Sequence, residues 1–331
     1  MKKLSKIIAL SFLCITAATK VNAQIDPHFS QYYANPLWLN PALTGVIDGD
    51  YRVTLNAKEQ WGSVSNAYLT AGASFDMAPT KNLSFGGMVL NQNAGDISYN
   101  YLNALASAAY RIRFGRAGLN MVNFGVQAGI LNKSFDPSKI TLGNQYNPGI
   151  GFDSGLPFNE SFTSTNTLVP DVNAGIMYFD GNADKQINVF AGASGSHLTR
   201  PLDRFLGNNI RIPIRFTAHG GARVKVSDAF DITPNGLYMK QGNAHEISAG
   251  AYAKYYINPE ADILFGTNYR FDDAAIAFFG LHLKSTVIGL SYDFNTSGLD
   301  RATGSKGGLE LSVSFTSRKG ISGPNFFCPR L

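Results

Sequence analysis

Apolar and polar residues alternate along most of the chain from Tyr51 to Thr316, in segments of about ten residues. In the first segment one face carries Tyr51, Val53, Leu55, Ala57 and Trp61, and the other carries Arg52, Thr54, Asn56, Lys58 and Gln60. A period of two residues is typical of a β-strand whose two faces lie in different environments. About fourteen such segments follow one another with no amphipathic helix between them, which predicts an all-β fold.

Segment length and charge placement favour a membrane barrel over a water-soluble sandwich. A tilted strand needs roughly ten residues to cross a bilayer, which is the length of these segments. Their charged residues stay on one face. In hydrocarbon every backbone N–H and C=O needs a partner within the protein, and a closed sheet provides one. The sequence therefore predicts a transmembrane antiparallel β-barrel of about 14 strands over residues 51–317.

The connections between the segments alternate in length, which predicts the orientation of the barrel. Short joins with turn residues follow the even-numbered segments, whereas the four longest, 92–99, 132–168, 197–209 and 295–307, follow odd-numbered ones. Bacterial barrels keep short turns in the periplasm and longer loops outside. We expect 132–168 to be a long extracellular loop that covers the mouth or folds inward as a constriction, or else a variable surface loop.

The ends of the chain predict its compartment. Residues 1–23 have the parts of an export signal, with early lysines, an apolar stretch over 7–18 and a small-residue cleavage site at 21–23. The mature chain should begin at Gln24 and reside in the outer membrane. Without the leader's four lysines the net charge falls from +5 to +1, so the basic pI does not indicate nucleic-acid binding.

The leader would also remove one of the two cysteines, Cys14. Cys328, in a predicted periplasmic tail over 318–331, would then be the one thiol of the mature protein. An intramolecular disulfide is thereby excluded. A buried reduced thiol and an intermolecular disulfide both stay open as roles for it.

Catalytic and metal-binding patterns are absent from the sequence. The five histidines are scattered without ligand spacing, and the Asp180–Asp184 stretch lacks the later glycine and glutamate of a calcium loop. Ser196 next to His197 is the single hint of a hydrolase, without an acid partner or oxyanion hole in the sequence. We therefore expect no catalytic, metal or cofactor-binding residue and no enzyme activity.

Seven basic residues on the polar faces are expected to point into the barrel lumen. They are Arg52, Lys58, Arg111, Arg113, Arg215, Arg223 and Lys225. Such charges can favour an anionic or acidic guest. They can equally belong to a salt-bridged interior in which Asp171, Asp231, Asp293 and Glu310 are their partners.

The segment before the first strand, residues 24–50, contains two Asn-Pro steps, at Asn35-Pro36 and Asn40-Pro41. Asn-Pro steps favour extended or turn backbone, so we expect an ordered, kinked periplasmic segment rather than a helix. Its aromatic residues need burial, and we expect them to pack into the periplasmic opening of the barrel.

Both ends of the chain resemble the PorP/SprF family of outer-membrane proteins, which belong to the type IX secretion system of Bacteroidetes. The matching positions near the start are Gln24, Pro27, Ser30, Gln31, Tyr32, Asn35, Pro36, Asn40, Pro41, Gly45, Gln60 and Trp61. The late runs GLSYDFN (289–295) and GLELSVSF (308–315) and the closing Cys-Pro-Arg (328–330) are also similar to the family.

The resemblance implies a non-enzymatic barrel that binds the C-terminal sorting domain of a secreted protein, such as a gliding or attachment adhesin, and supports its secretion and surface anchoring. Implied partners are that secreted protein, periplasmic type IX components and outer-membrane lipid, with no nucleic acid. Candidate partner-binding residues are Ser30, Gln31, Tyr32, Asn35, Pro36, Asn40, Pro41 and Trp61. The alternative is a diffusion channel or uptake barrel for anionic solutes.

Overall fold

The computed structural model describes residues 26–317 apart from 63–65, 96–97, 116–117, 141–144, 148, 154–163, 206–209, 259 and 299–302. The predicted leader, its cleavage site, the tail 318–331 and both cysteines lie outside the described residues.

Fourteen antiparallel strands form a closed barrel in which the first strand pairs with the last. These strands are β1 (Tyr51–Gln60), β2 (Tyr68–Met77), β3 (Leu83–Ala94), β4 (Tyr99–Phe114), β5 (Asn120–Ser134), β8 (Asn166–Asp180), β9 (Ile187–Ser196), β12 (Arg215–Ser227), β13 (Phe230–Gln241), β14 (Ala244–Asn258), β15 (Ala261–Arg270), β16 (Ala274–Leu283), β17 (Thr286–Asn295) and β18 (Lys306–Ser317). The predicted barrel and its strand number are confirmed. Within the described residues no helix has the length and apolarity to span a membrane.

The alternation along each strand separates a lipid face from a lumen face. Outward side chains such as Leu55 and Val126 are 53% and 58% exposed, whereas the inward Asn56 and Lys58 are buried. The barrel has no free sheet edge, because β1 and β18 pair over ten residues from Tyr51–Ser317 to Gln60–Gly308. Backbone polar groups are thus satisfied inside the sheet, as the hydrocarbon region of a bilayer requires.

Long connections gather at one end of the barrel, which we call the long-loop rim, and brief ones at the other, the short-turn rim. The expected 132–168 loop is shorter than predicted, because β5 continues to Ser134 and β8 begins at Asn166. Part of this connection and of 197–214 is described, and each includes a small two-stranded ribbon. These ribbons are β6–β7 (Tyr146–Asn147 with Gly151–Phe152) and β10–β11 (Leu202–Asp203 with Ile210–Arg211).

Residues 26–50 lie inside the lumen and are called the plug here. Asp26 bonds to His197 and Arg215 at the long-loop rim, and the Asp50 amide donates to the Ser317 carbonyl at the short-turn rim, 2.8 Å away. The sequence predicts that the aromatic residues of this segment pack into the periplasmic opening, whereas the segment extends through the lumen from one rim to the other. A barrel of this width leaves interior space that its own side chains do not fill, and the plug occupies it.

The plug folds as a chain of single turns. A 3-10 turn at Tyr32–Ala34, a one-turn α-helix at Pro36–Leu39 and a second 3-10 turn at Pro41–Leu43 follow one another. The expectation of no helix thus needs a small correction, since proline is well tolerated at the first position of a helix. Apolar plug side chains, among them Phe29, Leu37 and Leu43, pack with inward wall residues in two buried clusters.

Candidate functional site

The inner wall is shaped around the plug. At Gly72 a Cβ atom would lie 2.5 Å from the Asn35 amide nitrogen, and at Gly125 and Gly175 it would overlap the Pro41 backbone and the Asn40 side chain. Glycine leaves the space that the plug backbone needs at these strand positions. The fit between wall and plug is therefore steric as well as polar.

Near the long-loop half of the lumen, Glu310 of β18 binds two successive amides of the plug. Its carboxylate oxygens accept from the Ser30 and Gln31 N–H groups at 2.6 and 3.2 Å. The Ser30 hydroxyl donates to Asp293 of β17 (2.7 Å) and lies 2.8 Å from the Lys58 ammonium. Arg270 and Lys58 both pair with Asp293, so the charges of this cluster are balanced within the barrel.

Asn40 is the polar centre of the plug. Its Nδ2 donates to the Ile176 carbonyl at 3.1 Å and lies 3.1 Å from the His219 Nε2, while its Oδ1 accepts from the Ala42 amide at 2.9 Å. The side chain thereby caps the second 3-10 turn and ties it to β8 and β12. Asn40 is completely buried.

Wall side chains also donate hydrogen bonds to backbone carbonyls of the plug. The wall donors and the plug oxygens that they bind are Gln127 to Leu37, Arg215 to Trp38, Ser194 to Leu39, Asn123 to Ala42 and Arg52 to Leu43. At the short-turn end Asp76 accepts from the Gly45 amide at 2.7 Å, and Arg111 donates to the Gly45 carbonyl. Main-chain contacts of this kind hold the plug along its whole length.

The long-loop end of the plug is held by a cluster that we call the rim latch: Asp26, Tyr101, Asp171, His197 and Arg215. The Asp26 carboxylate lies 2.8 Å from His197 Nε2, 3.0 Å from Arg215 Nη1 and 3.2 Å from the Tyr101 hydroxyl, and Asp171 lies 2.9 Å from His197 Nδ1. Arg215 in turn stacks over Trp38 of the plug at 4.1 Å.

The protonated form of His197 is favoured by its contacts in the rim latch. Burial would lower the pKa of His197, which lies in the connection after β9, but the Asp26 charge and hydrogen bonds to both carboxylates outweigh burial and raise this pKa to about 9. Burial would raise the pKa of Asp26, yet His197 and Arg215 hold it well below its usual value. The latch is therefore an ion pair over the neutral range.

The contacts of the rim latch also bear on Ser196 and His197, the adjacent pair that gave the sequence its one hint of a hydrolase. Both His197 ring nitrogens face carboxylates, and the Ser196 hydroxyl accepts from Arg215 at 3.2 Å. Neither ring nitrogen is placed to activate that serine. Among the described residues, no group of His, Cys, Asp and Glu is arranged to hold a metal ion.

The seven expected lumen charges have partners in the structure. The pairs are Arg52–Asp76, Lys58–Asp293, Arg215–Asp26, Arg223–Asp231 and Lys225–Asp228, while Arg111 donates to Asn123 and Gly45 and Arg113 to the Lys81 carbonyl. Of the two hypotheses for these residues, the geometry favours a salt-bridged interior. Asp171 and Glu310 differ from their expected role, since they bind His197 and the plug amides.

The eight candidate partner-binding residues do not form one surface. The seven plug residues among them, from Ser30 to Pro41, are buried against the wall, and Trp61 lies half-buried at the long-loop rim. Their role toward a partner stays a prediction. Sequence reasoning missed Asp26 as a site residue, since nothing along the chain connects it to His197, 171 residues away.

The comparison with protein families decides the identity. The sequence model of the family "Type IX secretion system membrane protein PorP/SprF" matches residues 21–315. The chain belongs to this family. PorP/SprF membership and the barrel place the protein in the outer membrane, as predicted. The comparison with curated proteins finds no match.

Solved structures similar to this PorP/SprF protein include a transporter and a channel. The toluene transporter TbuX of Ralstonia pickettii matches with a TM-score of 0.52 and 11% identity over 86% of this chain and 93% of that one. The monoaromatic hydrocarbon channel CymD matches with a TM-score of 0.50 and 12% identity over 89% and 95%. At such identity the likeness shows the barrel fold alone. The family is described as a secretion-system membrane protein, and these neighbours are described as a transporter and a channel.

Proposed function

We propose that this PorP/SprF protein is a closed barrel that binds the C-terminal sorting domain of a type IX-secreted protein and holds that protein at the cell surface. The observation that carries the proposal is the plug, which crosses the whole lumen and is bonded to the wall from Asp26 to Asp50. A barrel filled in this way offers partners its rims rather than its interior.

The long-loop rim supports the docking role. Two cavities flank residues 26–28 there, one of about 390 Å³ toward β13–β16 and one of about 220 Å³ toward β1–β3. Concave surfaces beside a fixed segment are suited to receive protruding side chains of a partner. By the loop-length rule we expect this rim to face the outside, where a surface protein would be held.

The alternative of an anion channel finds less support. The inward basic residues that motivated it are paired with carboxylates or bonded to wall and plug oxygens, and apolar plug residues occupy the lumen between them. A solute would need the plug to leave, which would expose Glu310 and several wall donors without partners.

Affinity purification from the native outer membrane tests the proposal. The full-length protein carries a tag on a long-loop connection, and mass spectrometry identifies what copurifies from mild detergent. We expect a secreted protein with a C-terminal sorting domain, together with type IX components, and we expect that surface protein to be lost from cells lacking the gene. An unchanged set of surface proteins in the deletion strain would overturn the proposal.

Planar-bilayer recording separates the two functions. The purified wild-type barrel should conduct negligibly, because the plug fills the lumen. Steady anion-selective conductance of the unmodified protein, with no client recovered from cells, would favour the channel instead.

A further inference from the structure

The smaller of the two rim cavities is lined by aromatic rings and neutral amides from the wall. It holds about 220 Å³ and lies at the long-loop ends of β1, β2 and β3. Its lining residues are Asp26, Pro27 and His28 from the plug and Gln60, Trp61, Tyr68 and Gln92 from the wall. Two aromatic rings and two neutral amides thus face the end of the plug across a small space.

The sheet register brings the four wall residues together. Gln60 of β1 pairs directly with Tyr68 of β2, and Thr70 of β2 pairs with Gln92 of β3. On its other side Gln60 faces Gly308 of β18, which has no side chain to fill the space. Trp61 follows with a left-handed backbone (φ 58°), held by its amide donating to the Gly307 carbonyl at 3.1 Å.

The two aromatic residues form a platform. The Trp61 and Tyr68 rings are 5.0 Å apart at 79°, which is an edge-to-face arrangement, and both residues line the cavity. Both side chains are half-buried, and neither forms a polar side-chain hydrogen bond within the described residues. The Trp61 N–H and the Tyr68 hydroxyl are therefore available to a ligand.

The two amides complement this platform. Gln60 is 7% exposed, and its side chain forms no hydrogen bond to any described residue, although it lines the cavity. Gln92 donates through Nε2 to the Thr70 hydroxyl at 2.9 Å, which fixes the amide and leaves its carbonyl oxygen as an acceptor. An amide that lines a cavity in this way can exchange hydrogen bonds with a ligand.

Charge does not select the occupant of this cavity. The Asp26 carboxylate is already bound by His197 and Arg215, and His28 lies 3.5 Å from Glu246 on the side of the larger cavity. Among the described residues that line this cavity, an anion or cation would therefore find no uncompensated opposite charge. A neutral ligand with one apolar face and several hydroxyl groups matches rings and amides together.

We propose that the cavity formed by Gln60, Trp61, Tyr68 and Gln92 is a binding site for one neutral saccharide ring. The C–H face of the sugar packs on the Trp61–Tyr68 platform. Its hydroxyl groups exchange hydrogen bonds with the Gln60 amide and the Gln92 carbonyl oxygen. The site would let the barrel hold a surface glycan at the long-loop rim, whether or not a secreted protein is bound.

Tryptophan fluorescence gives a direct test, because the chain has two tryptophans and the other is Trp38 in the plug. In the full-length Trp38→Phe variant, Trp61 is the single reporter. We expect saturable quenching or a blue shift on titration with at least one of glucose, galactose, mannose, rhamnose and N-acetylglucosamine. Tyr68→Ala and Gln60→Ala, each in that background, should weaken binding by about tenfold or more.

Phe271→Ala is the matched control, since Phe271 is an exposed aromatic residue that lines the larger rim cavity. It should leave the titration unchanged, and every variant is first checked for the heat-dependent gel migration of a folded barrel. The proposal is overturned if no sugar of the panel gives a saturable response in folded protein. It is equally overturned if Tyr68→Ala responds like its parent or if Phe271→Ala alone abolishes the response.

Discussion

At the scale of single residues, the wall glycines that face the plug show how closely the two parts fit. A methyl group at Gly125 would overlap the Pro41 backbone, which has no room to move. Gly125→Ala should therefore lower the free energy of unfolding by about 1–3 kcal/mol, the usual cost of overpacking. Denaturant titration of the detergent-folded barrel, followed by tryptophan fluorescence, measures it.

Gly87→Ala is the comparison, because a Cβ there would have only one neighbour, the Leu105 carbonyl at 3.6 Å. Its free energy of unfolding should stay within about 0.5 kcal/mol of wild type. Equal losses for both glycines would contradict the argument that the lumen is shaped for the plug.

The rim latch makes a second residue-scale prediction, on pH. The folded-state pKa of His197 is about 9, above its ordinary value of 6.5. The stability that protonated His197 contributes is thus complete below pH 6.5 and is lost as the pH rises through about 9. The thermal midpoint of unfolding should fall as the pH rises from 6.5 through about 9, and the fall should be smaller in His197→Gln. A parallel decline in both proteins would rule out the latch as its source.

At the scale of elements, the two Asn-Pro steps of the plug are alike in sequence and different in structure. Asn40 caps a turn and bonds to β8 and β12, whereas both amide atoms of Asn35 are buried without a hydrogen-bond partner among the described residues. Asn40→Ala should cost about 2–4 kcal/mol in free energy of unfolding, from the lost cap and the partners left unsatisfied. Asn35→Ala should cost less than about 1 kcal/mol. The same denaturant titration measures both, and a larger loss at Asn35 would refute the assignment.

The strands could be predicted from the sequence and the plug could not, for one physical reason. In β1 the side-chain period of two is imposed by lipid on one side, so Leu55 and Asn56 reveal their faces locally. The plug obeys no period, since its turns follow wall contacts from distant strands, such as Asn40 with Ile176 and Ser30 with Glu310. The sequence shows that the aromatic residues of the plug need burial, but contacts with distant strands decide where in the barrel they are buried.

At the scale of the whole molecule, the plug changes the path of the chain. Fourteen strands alone would leave both ends of the barrel sequence at the short-turn rim, as the Asp50–Ser317 bond shows for residues next to β1 and β18. The plug then crosses the lumen once more and brings Asp26 to the long-loop rim. If that rim faces outward, the beginning of the described chain lies outside and the end of β18 lies in the periplasm.

Thiol labelling of intact cells tests this path. In a Cys328→Ser background, a cysteine at the exposed Asp272 of the long-loop rim and one inserted just before Asp26 should both react with a membrane-impermeant maleimide. Lys284→Cys, in an exposed connection of the short-turn rim, should react only after the outer membrane is opened. Labelling at Asp272 without labelling before Asp26 would mean that the plug enters from the periplasm and stops short. Labelling of Lys284→Cys in intact cells would invert the barrel and move the docking surface and the saccharide site to the periplasmic side.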